Sequence, residues 1–137
     1  MKITADTNVL LRLVLADDEA QGRAAFETME SANLVAISVH SLCELAWVLG
    51  TRAAMPRQDI AGAIRGLIDA ENVVVNRPAV EAGLAVLDAG GDFADGVIAF
   101  DGQWLGGETF VSFDKKAVAL LAKQGTSAKL VEDKATP

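Results

Sequence analysis

Histidine and cysteine are almost absent from this sequence, with one residue of each among 137. The single histidine, His40, excludes a metal-free ribonuclease that uses one histidine as acid and a second as base. The lone cysteine, Cys43, has no partner for an internal disulfide and sits in an apolar helical pattern, as expected of a protein kept in a reducing cytoplasm. Neither residue type provides a zinc spacing, and no GxxxxGK[ST] loop is present to cradle a phosphate. No run of about 18 apolar residues is available to cross a membrane. The most apolar stretch, Leu34 to Gly50, is broken by Ser38, His40, Ser41 and Glu44. The opening residues Met1 to Asp6 lack the apolar block and cleavage site of a signal peptide.

Basic side chains are also few. Twelve Lys and Arg stand against 19 Asp and Glu, for a net charge of −7 and a pI near 4.6. That balance excludes a broad, sequence-blind nucleic-acid binder, which needs a basic face to displace counterions. It leaves room for an enzyme that grips phosphate through a cation, because the ion reverses the local field. With histidine and cysteine removed from consideration, any catalysis falls to aspartates and glutamates. What the sequence has in plenty is apolar residues, at 51%, and part of that surplus is expected to be covered by another subunit.

Short strands alternate with helices, with no repeat and no internal linker. Lys2–Ala5, Leu34–Ile37, Val73–Val75, Thr109–Phe113 and Ala128–Val131 read as strands. Between them lie a helix carrying Leu10, Leu13 and Val14, one from Asp17 or Asp18 to about Glu30, and one taking in Leu42, Leu45, Trp47, Val48 and Leu49. Pro56 suits the first turn of a helix whose stripe is Ile60, Ile64, Leu67 and Ile68. Pro78 opens a helix with Val80, Leu84 and Leu87, another runs from Asp92 to about Trp104, and Asp114–Lys123 forms the last. The expected fold is a single α/β domain over residues 1–131, three layers in α/β/α order, with a mainly parallel sheet of about five strands. Residues 132–137 are expected to form a loose tail.

In an open parallel sheet, functional groups gather where strands end and helices begin. Asp6, Glu44, Asp95 and Asp114 all fall at or just beyond such places. Mg²⁺ or Mn²⁺ takes oxygen ligands from a few carboxylates, with water and substrate phosphate completing the shell. Each acid also has a structural alternative. Asp6, Asp92 and Asp114 stand where an aspartate caps the following helix, and Asp92-Phe-Ala-Asp95 and Ser41-Leu-Cys-Glu44 both fit a capping box loosely. Glu44 weighs most, because an acid in so apolar a helix is costly unless exposed or paired.

Four segments go further. Ile3-Thr4-Ala5-Asp6-Thr7-Asn8-Val9-Leu10-Leu11-Arg12 resembles the first motif of PIN-domain proteins, and Ser38 to Leu45, with Glu44, resembles the second. Gly91-Asp92-Phe93-Ala94-Asp95-Gly96-Val97-Ile98-Ala99 resembles the third, and Phe110 to Ala117, with Ser112 and Asp114, the fourth. They occur in family order and span nearly the whole chain. Among PIN proteins a short single-domain chain is most like the VapC toxins of toxin–antitoxin systems.

The resemblance implies a PIN-like fold and a Mg²⁺- or Mn²⁺-dependent endoribonuclease acting as the toxin of a type II pair. Asp6 and Asp95 would be direct metal ligands, while Glu44 and Asp114 would bind a second ion or hold metal-bound waters. Thr7, Asn8 and Ser112 would orient these groups by hydrogen bonds. Asp92 sits one helical turn before Asp95, and capping is its favoured role. The implied partners are RNA, a small antitoxin whose C-terminal segment wraps the toxin, and a second copy in a homodimer. Gly96 and Phe100 depart from the small, helix-favouring residues common in relatives, so this helix is expected to be looser or differently packed. Asp101 projects roughly 240° around the helix from Asp95 and stays outside the site. Arg12, Lys115 and Lys116 are the cations nearest the motifs, either touching RNA phosphates or simply solvated.

Two other functions compete. A phosphatase-like phosphoryl-transfer enzyme would use a nucleophilic aspartate after the first strand, but Asn8 stands where a second aspartate is usual. A non-catalytic PIN-fold interaction module would use the acids only as caps.

Overall fold

β-branched and apolar residues in short runs make the strands, and apolar residues three and four apart make the helices. The computed structural model describes residues 1–133, so the part of the expected tail from residue 134 onward lies outside the described residues. Among the described residues five strands are interspersed with seven helices, and the chain divides after Arg77 into two compact units.

The first unit holds β1 (Lys2–Thr4), α1 (Thr7–Leu15), α2 (Glu19–Ser31), β2 (Leu34–Ala36), α3 (Val39–Thr51), α4 (Arg57–Ile68) and β3 (Val73–Val74). Its strands form a parallel sheet in the order β1-β2-β3, with Ile3 opposite Val35 and Val35 opposite Val73. The central strand is therefore the most enclosed, and Val35 is fully buried. Leu10, Leu42, Leu45, Leu49, Ile60, Ile64 and Ile68 bury the inner faces of α1, α3 and α4. Trp47 does not join the apolar face of α3 expected from the sequence; it is 62% exposed. Pro56 precedes the first turn of α4 at the N-cap rather than lying within it, where its missing N–H is equally harmless. The Asn72 amide donates to the carbonyls of Met29 and Ala32, tying the end of α2 to the entrance of β3.

The second unit comprises α5 (Arg77–Asp88), whose first residue is the last of the preceding unit, then α6 (Phe93–Trp104), β4 (Phe110–Ser112), α7 (Lys115–Lys123) and β5 (Ala128–Leu130). β4 and β5 pair in parallel, with Val111 opposite Lys129. Val86 of α5, Ala99 of α6 and Leu121 of α7 meet in a core cluster against which Phe110 and Ala128 pack.

The crossing of α5 and α6 is set by two glycines. A Cβ on Gly96 would lie 2.2 Å from the Ala82 carbonyl oxygen and 2.8 Å from the Gly83 Cα. A Cβ on Gly83 would lie 2.7 Å from the ring of Phe93, which is buried. Of the two expectations for Gly96, a looser helix or a differently packed one, the contact fits the second. Gly96 lets two backbones approach more closely than any side chain would allow.

Candidate active site

Each unit presents part of the acid set. In the first, the chain leaves β1 through buried Ala5 and reaches Asp6, whose extended backbone makes it the N-cap of α1. One of its carboxylate oxygens accepts the Val9 N–H at 3.1 Å. Thr7, the first residue of α1, turns its hydroxyl to α3 and donates to Oε1 of Glu44 at 3.1 Å. Asn8 follows on the same turn and is exposed. The capping-box alternative for Glu44 fails. Ser38, not Ser41, caps α3 by accepting the Ser41 N–H, which leaves Glu44 well inside the helix. Its carboxylate is exposed and held by Thr7, so the expected cost of an acid in an apolar helix is avoided by exposure and a partner.

In the second unit, Asp92 occupies the N-cap position of α6. Among the described residues, however, its side chain makes no capping bond to the helix. Its carbonyl accepts the N–H of Asp95, at 3.1 Å. Asp95 lies in the first turn, half-buried and next to the Gly96 contact. Burial holds its carboxyl above the ordinary carboxylate value, and the negative charges of Asp92 and Asp114 raise it further. Asp92 thus acts on Asp95 electrostatically, and the capping favoured by the sequence accounts only for its position.

Asp114 caps α7 by accepting the N–H groups of Lys116 and Ala117 at 2.9 and 3.2 Å. Its own N–H donates to the Ser112 hydroxyl at 3.0 Å. Ser112 therefore holds the backbone of Asp114 rather than its carboxylate.

The structure thus joins Thr7 to Glu44, and Asp92 and Asp114 to Asp95. Asp6 and Asp114 do cap helices, but each does so through one oxygen of a carboxylate that has about four lone-pair sites. Arg12 is taken up by Asp17 in a 2.7 Å ion pair, whereas Lys115 and Lys116 are exposed on the first turn of α7.

Carboxylate oxygens are the donors that Mg²⁺ and Mn²⁺ prefer, and the crowded charge at Asp95 is of the sign a cation relieves. Among the described residues no group of three or more His, Cys, Asp or Glu side chains is placed to hold a metal ion. The residues fit an ion that keeps several waters and takes only one or two carboxylates, as Mg²⁺ commonly does.

No curated protein matches the chain. The PIN domain family matches over residues 3–123, which include all four acidic motifs. PIN domains are in general nucleases, and they generally use divalent metal ions. The chain belongs to the PIN domain family, and with it to a class of hydrolases that act on nucleic acid.

Proposed function

We propose that this protein is a Mg²⁺- or Mn²⁺-dependent endoribonuclease, the toxin of a type II toxin–antitoxin pair, similar to the VapC proteins. The observation that carries this reading is the match to the PIN domain over residues 3–123, which takes in all four acidic motifs with Asp6, Glu44, Asp95 and Asp114. Asp95 adds to it as a half-buried carboxyl whose charged form is disfavoured by burial and by the charges of Asp92 and Asp114. Such an arrangement costs stability in the free protein and is offset by a bound cation.

Asp6 and Asp95 are the proposed ligands, with Glu44 and Asp114 binding a second ion or positioning water. Thr7 restrains Glu44, Ser112 restrains Asp114, and Asn8 is the remaining candidate to orient an acid or a water. When bound, the metal lowers the pKa of a coordinated water and stabilises the charge that grows on the phosphodiester.

The partners proposed are RNA, a small antitoxin protein and a second copy of the chain, all in the cytoplasm. Exposed Phe26, Trp47, Ile98, Trp104 and Leu105 are apolar surface that partner chains would cover. The capping bonds of Asp6 and Asp114 are what a non-catalytic interaction module would also have.

The deciding experiment is cleavage of single-stranded and hairpin RNA by the purified chain. Cleavage stops with EDTA, returns with Mg²⁺ or Mn²⁺, and is lost in Asp95→Asn with the fold intact. Activity that survives EDTA and Asp95→Asn overturns the mechanism. If calorimetry detects no Mn²⁺ binding, the interaction module is the correct reading.

A further inference from the structure

Phe113 has no role in the site described so far, and its surroundings are unusual for an aromatic at a strand end. Along β4 and the residue after it, burial alternates. Phe110 and Ser112 are half-buried, whereas Val111 is 57% and Phe113 73% exposed. This is the period of two expected of a strand, and it places Phe113 on the face opposite the core. An aromatic ring left so far in water forgoes the burial that normally justifies it.

The backbone around the ring is pinned. On one side Ser112 is hydrogen-bonded in the β4–β5 ladder, its carbonyl accepting the Val131 N–H at 2.8 Å. On the other, Asp114 is held through its N–H and through two bonds to its carboxylate. The next two residues, Lys115 and Lys116, are exposed cations. Within four consecutive residues the chain therefore presents an exposed ring on a pinned backbone, a proposed metal-binding acid and two ammonium groups.

Those groups match the parts of a single-stranded polynucleotide: a base with a π-face, the phosphodiester to be cut, and flanking phosphates. The net charge of −7 leaves general electrostatic attraction to RNA weak. Contacts to bases must then supply more of the affinity, and stacking on an aromatic ring does so without sequence preference.

We infer that Phe113 is a stacking platform for a nucleobase beside the cleaved phosphodiester, with Lys115 and Lys116 on neighbouring phosphates. This rests on the ribonuclease reading above. It makes RNA with unpaired bases the substrate class, because a base inside a duplex has no free face to offer the ring.

The test compares native protein with Phe113→Ala, Phe113→Leu and Phe113→Trp on a labelled single-stranded oligoribonucleotide, after the cut has been mapped with native protein. Steady-state cleavage is measured with Mn²⁺, alongside melting temperature and sedimentation. Phe113→Ala is expected to raise KM about 5- to 140-fold, the range that loss of one base–aromatic stack gives. The kcat should stay within about twofold, because stacking binds ground and transition states alike. Phe113→Trp restores KM, and Phe113→Leu does not. Removing the base next to the cut raises KM for native protein but has little further effect on Phe113→Ala.

Native cleavage matched by Phe113→Ala overturns the platform and leaves the ribonuclease reading standing. Native KM in Phe113→Leu also overturns it, since any apolar group would then serve. If Phe113→Ala dissociates a dimer while KM is unchanged, the ring belongs to a contact between copies. Native protein that neither cuts nor binds RNA removes the ribonuclease reading, and this inference with it.

Discussion

Replacing Gly96 by alanine sets two known effects against each other. Gly96 lies inside α6, where alanine is favoured over glycine by about 1 kcal/mol. On helix propensity alone, Gly96→Ala would be stabilising. The added methyl, however, would stand 2.2 Å from the Ala82 carbonyl oxygen, with the Ala82 carbonyl carbon and the Gly83 Cα both at 2.8 Å. All three are backbone atoms of α5, so no rotamer change relieves them. The helices must separate by about 1 Å to restore ordinary contact, which is near 3.5 Å. Overpacking of this kind costs about 3 kcal/mol, the upper part of the usual range. Subtracting the propensity gain leaves a net loss of about 2 kcal/mol, or a fall in Tm of about 8 °C for a chain of this size. Gly62→Ala is the control, because Gly62 lies inside α4 with nothing within 4 Å of its added Cβ. It should gain up to about 1 kcal/mol. Urea and thermal unfolding of the three proteins measure both changes. If Gly96→Ala melts at or above the native temperature, the close approach of α5 and α6 is wrong.

Asp95→Asn is expected to melt above the native protein at pH 7 without metal. The native carboxyl's raised value favours folding fully below its ordinary 3.8, and that contribution is lost as pH rises through the folded value. The advantage of the Asp95→Asn variant over the native protein should therefore close as melting is repeated toward pH 4, and a pH-independent difference would contradict it. Saturating Mn²⁺ should raise the native Tm, by the equivalent of about 2.7 kcal/mol at a hundredfold excess over Kd, and should raise that of Asp95→Asn less. Asp6→Ala should lose about 1 kcal/mol with its helix cap, whereas Asp6→Asn should stay within a few tenths of native stability; equal losses in urea melts would show that the bond to Val9 contributes nothing. Light scattering at micromolar concentration should give twice the 14.3 kDa chain mass, and a clean monomer would refute the proposed pairing of copies.

Most elements were legible because the apolar spacing of each is unambiguous. Ile60, Ile64, Leu67 and Ile68 share one side of a helix, whereas in a strand Leu67 would point away from the other three; the three isoleucines are buried. Strand ends fall a residue inside the apolar runs at Ile37 and Val75, although the Ile37 N–H still donates to the Val74 carbonyl at 3.1 Å. The capping-box spacing at Glu44 misleads because both Ser38 and Ser41 are good caps, and only the path of the chain out of β2 chooses between them. The hydrogen bond from Thr7 to Glu44 joins residues 37 positions apart, and no local pattern encodes it. Gly96 left two readings open in the sequence, a looser helix or a differently packed one, because propensity describes one helix alone, whereas this glycine answers to the carbonyl of another. The exposure of Phe113 was within reach, since alternation from half-buried Phe110 places it on the outer face. Its significance depends on Asp114 and the lysines beside it.

The clamp between α5 and α6 also governs how the second unit can respond to its own charge. Crowded carboxylates in a pliable protein drift apart and dissipate their repulsion in small backbone shifts. Here Gly96 abuts the Ala82 carbonyl on one side of the crossing, and the Phe93 ring fills the space over Gly83 on the other. An interior packed to this density does not yield smoothly, so α6 does not slide freely along α5 to carry Asp95 away from the charge of Asp114. The burden on the Asp95 carboxyl is therefore set during folding, by the packing of α5 against α6, before any ligand arrives.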